Sequence, residues 1–217
     1  MAIIEVKELI PGYSGKGVCA PITFSLERGD YLCILGENGS GKSTLIKTLL
    51  GLQKPVSGSF SVSAGGIGYL PQQDEGSRDF PAAVEEIVLS GCARALFPKK
   101  ADKERAFAAL ERLGVEHLAK KSYRELSGGQ QQRVLLSRAL CAADEILLLD
   151  EPAAALDTHS VRGMYDAVKY LNDQGLTVLM ISHDPHAALR DATHVLHIGT
   201  DSADFMTNER YTEESNG

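Results

Sequence analysis

The chain has 217 residues, 43% of them hydrophobic and 24% charged, which gives one globular domain room for a sizeable core. A formal charge of −7 argues against nucleic acid as the main partner, because such binders carry a basic surface. Four scattered cysteines with no CxxC spacing suit reduced thiols, no apolar window reaches the about 18 residues of a membrane span, and MAIIEVKELI lacks the form of a signal peptide.

AIIEVKEL alternates like a half-buried strand, and YLCILG (31–36) is a short apolar run of the kind covered on both faces. GENGSGKS follows at once and fits GxxxxGK[ST] between a predicted strand and a predicted helix over 42–50. Gly36, Glu37, Asn38, Gly39, Ser40, Gly41, Lys42 and Ser43, with Thr44 next, are candidate phosphate-binding residues. Glycines let the backbone wrap an anion with its N–H groups, and the helix start adds partial positive charge. Lys42 would reach the β and γ phosphates, and Ser43 would hold Mg²⁺.

From about 75 to 141 the strand–helix rhythm stops. Helical patterns over 102–113 and 130–141, with no convincing strand, predict a helical lobe set into an α/β core. Within it lies ELSGGQQQR (125–133). Ser127 and Gln130 fit the S-x-x-Q capping box. Gly128 and Gly129, between them, each cost about 1 kcal/mol against alanine inside a helix. Bare N–H groups at a helix start make a second phosphate site, and a chain with its own P-loop has use for one only if two copies share a site.

EILLLD (145–150) and LTVLMIS (176–182) again read as buried strands, with a helix over 159–173 between them. Asp150 stands at a strand's C-terminal end, where open α/β sheets bind ligands, and a carboxylate there suits Mg²⁺. Glu151, next to it, is free to orient a water against a γ-phosphate. HDPH and HVLH place His183, His186, His194 and His197 in two HxxH pairs. Zinc is rejected, since a spacing of three in a strand points side chains to opposite faces. The polar stretch 201–217 is expected to be a loosely held tail.

GENGSGKST, LSGGQQQR, ILLLDEP, ALD and ISHD, in this order over residues 1 to about 200, resemble an ATP-binding cassette (ABC) ATPase. The resemblance implies an α/β P-loop NTPase fold with a mainly parallel sheet, an N-terminal antiparallel β portion and an inserted helical lobe. It implies one cassette domain over 1–217, with its core at 1–74 and 142–200, the lobe at about 75–141 and the polar tail beyond. It also implies roles: Tyr13 stacking on adenine, Gln72 (or Gln73) as a hinge glutamine touching Mg²⁺, Asp157 in a loop crossing a dimer interface, and His183 at the γ-phosphate and attacking water. Asp157 equally suits an N-cap. The cofactors implied are ATP and Mg²⁺. Members pair head-to-tail, the P-loop of one copy against Ser127, Gly128, Gly129 and Gln130 of the other. With one cassette per chain, the pair is a homodimer. DEPAAALD departs from the family by carrying alanines at 153–155, where Thr or Ser and Gly are usual.

DFPAAVEEIVLSG (79–91) is similar to the subunits of zinc/manganese-type importers. That implies a peripheral ATPase at the cytoplasmic face of the membrane, an integral membrane permease, an extracytoplasmic binding protein and no nucleic acid. Arg78, Phe80, Pro81 and Arg94 are candidate permease contacts, although Phe80-Pro81 also suits a plain helix start. A soluble cassette acting on a macromolecular complex, or an importer ATPase for another cargo such as iron chelates, is the alternative. A small-molecule kinase leaves LSGGQ unexplained.

Overall fold

The computed structural model describes residues 1–72, 80–92, 98–154, 156–199 and 201–215. Strand β1 (Ile4–Ile10) pairs antiparallel with β4 (Ile22–Leu26) on one side and β6 (Ser57–Val62) on the other, making a three-stranded sheet. Its register shifts around Glu8, which has φ 46°. Such a bulge bends the strand and twists the sheet. A short hairpin of β2 (Gly12–Tyr13) and β3 (Lys16–Gly17) projects from this layer.

The central sheet is β11 (Ala203–Thr207), β10 (His194–Ile198), β5 (Tyr31–Gly36), β9 (Thr177–Ile181), β8 (Ile146–Asp150) and β7 (Ile67–Leu70), in that spatial order. All neighbours are parallel except β10 and β11. The apolar runs are long because both faces are covered. Along β5, Tyr31, Cys33 and Leu35 enter one core cluster, and Leu32 and Ile34 enter the other. β8 and β9 split their side chains in the same way. One cluster joins the sheet to the helical lobe. The other joins it to α1 (Lys42–Leu49) and the antiparallel sheet.

The lobe holds α2 (Val84–Cys92), α3 (Lys100–Arg112) and α4 (Gly128–Ala142), and α4 also leans on β7. Contact there is close: a Cβ on Gly68 would lie 2.4 Å from the Ala139 carbonyl oxygen, and one on Gly91 would lie 2.1 Å from that of Arg138. Helix α5 (Thr158–Asp173) links β8 to β9, and α6 (Pro185–Leu189) links β9 to β10. No helix among the described residues is long and apolar enough to cross a membrane.

The stretch after residue 200 is not a loose tail. β11 extends the central sheet over all five of its residues, from Ala203 against Ile198 to Thr207 against His194, and α7 (Asn208–Ser215) follows. Phe205 fixes it, stacking on His194 at 5.2 Å and meeting Phe24 at 5.7 Å. Together with Tyr211, which meets His197 at 6.3 Å, it supplies the packing that overall composition hides.

Candidate nucleotide site

The parallel strands bring their C-terminal ends to one edge. Gly36 is level with Ile198, Ile34 with Ile181, and Ile181 with Asp150. Everything leaving the sheet there converges, as the switch-point geometry of open α/β sheets requires.

The loop after β5 turns through Gly36, Gly39 and Gly41 at φ 145°, 84° and 94°. Glycine adopts these angles without a Cβ penalty. At Gly36 and Gly41 there is also no room: a Cβ would lie 2.3 Å from the Ile198 carbonyl oxygen or 2.7 Å from a Val18 methyl. Lys42, 6% exposed, folds back so that Nζ donates to the carbonyls of Gly36 at 2.8 Å and Glu37 at 2.7 Å. Burial lowers its pKa, and the Glu151 and Asp150 carboxylates push the other way. The Ser40 hydroxyl is buried with no partner among the described residues. Buried polar groups are normally paired, so the loop has donor capacity left for a phosphate.

Asp150 is 2% exposed, and the Ser43 hydroxyl donates to its Oδ1 at 3.1 Å. Burial raises the Asp150 pKa, while the bond from Ser43, Lys47 and Lys42 oppose the rise. A hydroxyl and a carboxylate sharing one buried point are hard oxygen donors fit for Mg²⁺.

Glu151 has φ 53°, left-handed for a residue with a side chain. The turn aims its carboxylate between two partners. Gln72 Nε2 donates to Oε2 at 2.9 Å, and His183 Nε2 lies 2.5 Å from Oε1. His183 gets there because it follows β9, whose last residue Ile181 accepts from the Glu151 N–H at 3.1 Å. Gln73 lies outside the described residues, as does Ala155; Ala153 and Ala154 form a turn.

Tyr13 sits on the hairpin, 48% exposed, and accepts from the Thr44 hydroxyl at 3.3 Å. Gln53 donates to the Gly12 carbonyl beside it. Asp157 N-caps α5, accepting from Ser160 N at 2.9 Å.

The structure therefore gathers Tyr13, the loop from Gly36 to Thr44, Gln72, Asp150, Glu151 and His183. No hydrogen bond among the described residues joins Ser127–Gln130 to that group. These four form the mouth of α4, where Ser127 N donates to Gln130 Oε1 at 3.1 Å and Gln130 N donates back to Ser127 Oγ at 3.4 Å. Gly129 has a reason within its own chain: a Cβ there would lie 2.7 Å from the Ser160 Oγ. Ser127 and Gly128 are exposed.

The ABC transporter family model matches residues 19–154. The manganese transport system ATP-binding protein MntB of Bacillus subtilis is 39% identical over 196 residues, 85% of this chain and 78% of that one. The zinc import ATP-binding protein ZnuC of Marinobacter nauticus is 39% identical over 197 residues, 89% and 73% of the two chains. Among solved structures, cbiO1 from Clostridium perfringens, part of the ABC transporter complex cbiONQ, superposes with TM-score 0.84 at 28% identity, covering 99% of this chain and 92% of its own. With the family model spanning more than half of its length and its P-loop and Asp-Glu strand converging at one edge of a parallel sheet, the chain belongs to the ABC transporter family and is an ATP-binding ATPase.

Proposed function

We propose that the chain is the ATPase subunit of an importer for a divalent metal ion of the zinc/manganese kind. It would work as a single cassette in a head-to-tail homodimer, docked on an integral membrane permease at the cytoplasmic face, with an extracytoplasmic binding protein delivering the ion. The observation that carries the ATPase part is the Glu151 carboxylate, gripped on both oxygens beside a P-loop. The cargo rests on similarity to manganese and zinc transport proteins.

Bound Mg-ATP supplies the phosphoryl group and shields its charge. The residues do the rest. Lys42 gives up two carbonyls for the β and γ phosphates. Ser43 and Asp150 would hold Mg²⁺, and Gln72, while its Nε2 donates to Glu151, would offer its Oε1 to the cation. Glu151, fixed in direction by Gln72 and His183, accepts the proton of the attacking water, and His183 steadies both. Tyr13, about half exposed on its hairpin, offers a face to the adenine. Ser127, Gly128, Gly129 and Gln130 meet the nucleotide of the opposite copy, with Asp157 at the same seam.

Docking falls to the lobe. A cleft of about 380 Å³ lies between α2 and α4, lined by Phe80, Ile87, Ser90, Leu135 and Arg138 among others. Helix α2 starts at Val84, so Phe80 and Pro81 stand before it and are exposed, Phe80 by 59%. A large exposed aromatic beside an apolar cleft marks a contact surface. Arg78 and Arg94 lie outside the described residues.

Co-purification tests the reading. A multi-span permease from the same gene neighbourhood should come down with the tagged chain; recovery with a soluble complex instead would overturn it. Phe80→Ala should leave the isolated subunit's ATP hydrolysis within about twofold of wild type. It should weaken permease binding about tenfold or more, the 1–2 kcal/mol expected of a buried aromatic anchor. Unchanged binding would move the docking site elsewhere.

A further inference from the structure

Three consecutive glutamines follow Gly129, and they do three different things. Gln130 closes the capping box. Gln131 Nε2 donates to the Tyr123 carbonyl at 3.0 Å, within the lobe. Gln132, 4% exposed, leaves the lobe: its Nε2 donates at 2.6 Å to the carbonyl of Pro152. Pro152 follows Glu151, the residue held at positive φ. One side chain thus ties the helix that opens at Ser127 to the turn that aims the catalytic carboxylate.

Gln132 gains little for stability alone. Its Oε1 is buried with no partner among the described residues, and a lone buried acceptor is a net cost. An apolar side chain of the same length would remove that orphan but take the donor from the buried Pro152 carbonyl, so the two come close to even and stability alone does not select the glutamine. The residue makes sense if the bond matters for something other than folding. A non-glycine residue at positive φ persists only where its surroundings over-determine it. The surroundings of Glu151 are Ile181 on its N–H, Gln72 and His183 on its carboxylate, and Gln132 on the next carbonyl.

We propose that Gln132 is a positioning residue for hydrolysis, fixing the Glu151 turn through the Pro152 carbonyl. This rests on Glu151 being the base, as proposed above. Gln132→Met keeps length and removes both the donor and the orphan acceptor. In the full-length chain, kcat for ATP should fall at least tenfold while KM and the thermal midpoint stay close to wild type. Gln132→Glu supplies a second readout. An ionised carboxylate cannot donate to a carbonyl, but a protonated one can, and burial raises the pKa of a carboxyl group. Its kcat relative to wild type should therefore be low at about pH 8 and recover as the pH falls toward about 5.5. A residue that only holds the fold together predicts instead that kcat and the thermal midpoint fall and recover together, because protonation also relieves the cost of a buried charge.

Wild-type kcat in Gln132→Met overturns the proposal. So does loss of kcat in step with the thermal midpoint in both variants, including a joint recovery of the two in acid for Gln132→Glu. If Gln132→Met fails to fold, the pH profile of Gln132→Glu decides, with kcat read well below its thermal midpoint at every pH. Glu151→Gln, run beside them, separates the two levels. Normal hydrolysis in Glu151→Gln removes the base and the proposed mechanism with it, whereas a dead Glu151→Gln beside an active Gln132→Met removes only the role of Gln132.

Discussion

Lys42→Ala should reduce ATP hydrolysis at least 100-fold and weaken ATP binding about 10- to 100-fold. Two losses combine. A charge-assisted hydrogen bond to phosphate is worth about 1.5–3 kcal/mol, and a cation aimed at developing charge costs about 10²–10³ in rate when removed. The structure adds a third effect. Lys42 Nζ already bridges the Gly36 and Glu37 carbonyls, so it shapes the loop before any phosphate arrives. Without it those carbonyls have lost their cation, and the N–H groups between them are less well aimed. The core should hold, because Leu45 and Ile46, through which α1 packs into the core, are untouched. Equilibrium binding of a fluorescent ATP analogue and phosphate release report the two losses separately. Wild-type turnover would show that the loop is not the phosphate site.

Legibility in the sequence followed burial. β5, β8 and β9 stand out as apolar runs because both of their faces are covered, and the Asp150 and Glu151 positions follow from where β8 ends. Helices α1, α3, α4 and α5 lie within two residues of the spans their periodicity suggests. β6 reads as SGSFSV, two-thirds serine and glycine, since it is the exposed edge of its sheet. β7 is broken by Gly68, which the nearness of Ala139 demands. Neither is visible without the partner it packs on. β11 hides for the same reason, its register resting on β10 and one phenylalanine.

Within the site, the P-loop chemistry is local and could be read from eight residues. The grip on Glu151 is not local. Gln72 and His183 are 79 and 32 positions away, and only the resemblance to a family placed them there. Gln132 had no signal at all. In QQQR, nothing in composition or spacing separates the middle glutamines, and only the direction of each side chain assigns the third to Pro152. Gly129 shows the converse. Its bareness suggests an open phosphate site, yet packing against Ser160 already requires it. The glycine is therefore weaker support for a shared nucleotide than it looks in the sequence, and the decision passes to an experiment on Ser127.

Glu151→Gln should trap the chain as an ATP-bound dimer. The amide keeps the shape of the carboxylate and can still pair with Gln72 and His183, but it cannot accept the water's proton. Asp150, Ser43 and Lys42 are untouched, so Mg-ATP should still bind. Hydrolysis should fall by about 10²–10⁴, the range of a positioned general base. If the α4 mouth grips the nucleotide of the opposite copy, the persistent ATP holds two chains together. Size exclusion should then show a dimer with Mg-ATP and a monomer with ADP. Ser127→Arg on this background puts a long, charged side chain at the exposed mouth and should abolish the dimer while each P-loop still binds ATP. It also removes a cap worth about 1 kcal/mol, and Ser127→Ala controls for that. The cap bond from Gln130 is already long at 3.4 Å, and alanine leaves the cleft open. Ser127→Ala with Glu151→Gln should still dimerise, while Ser127→Arg with Glu151→Gln should not. Equal dimerisation in both double variants would mean that Ser127–Gly129 only starts a helix and packs on Ser160, and that two copies, if they meet, share no nucleotide there.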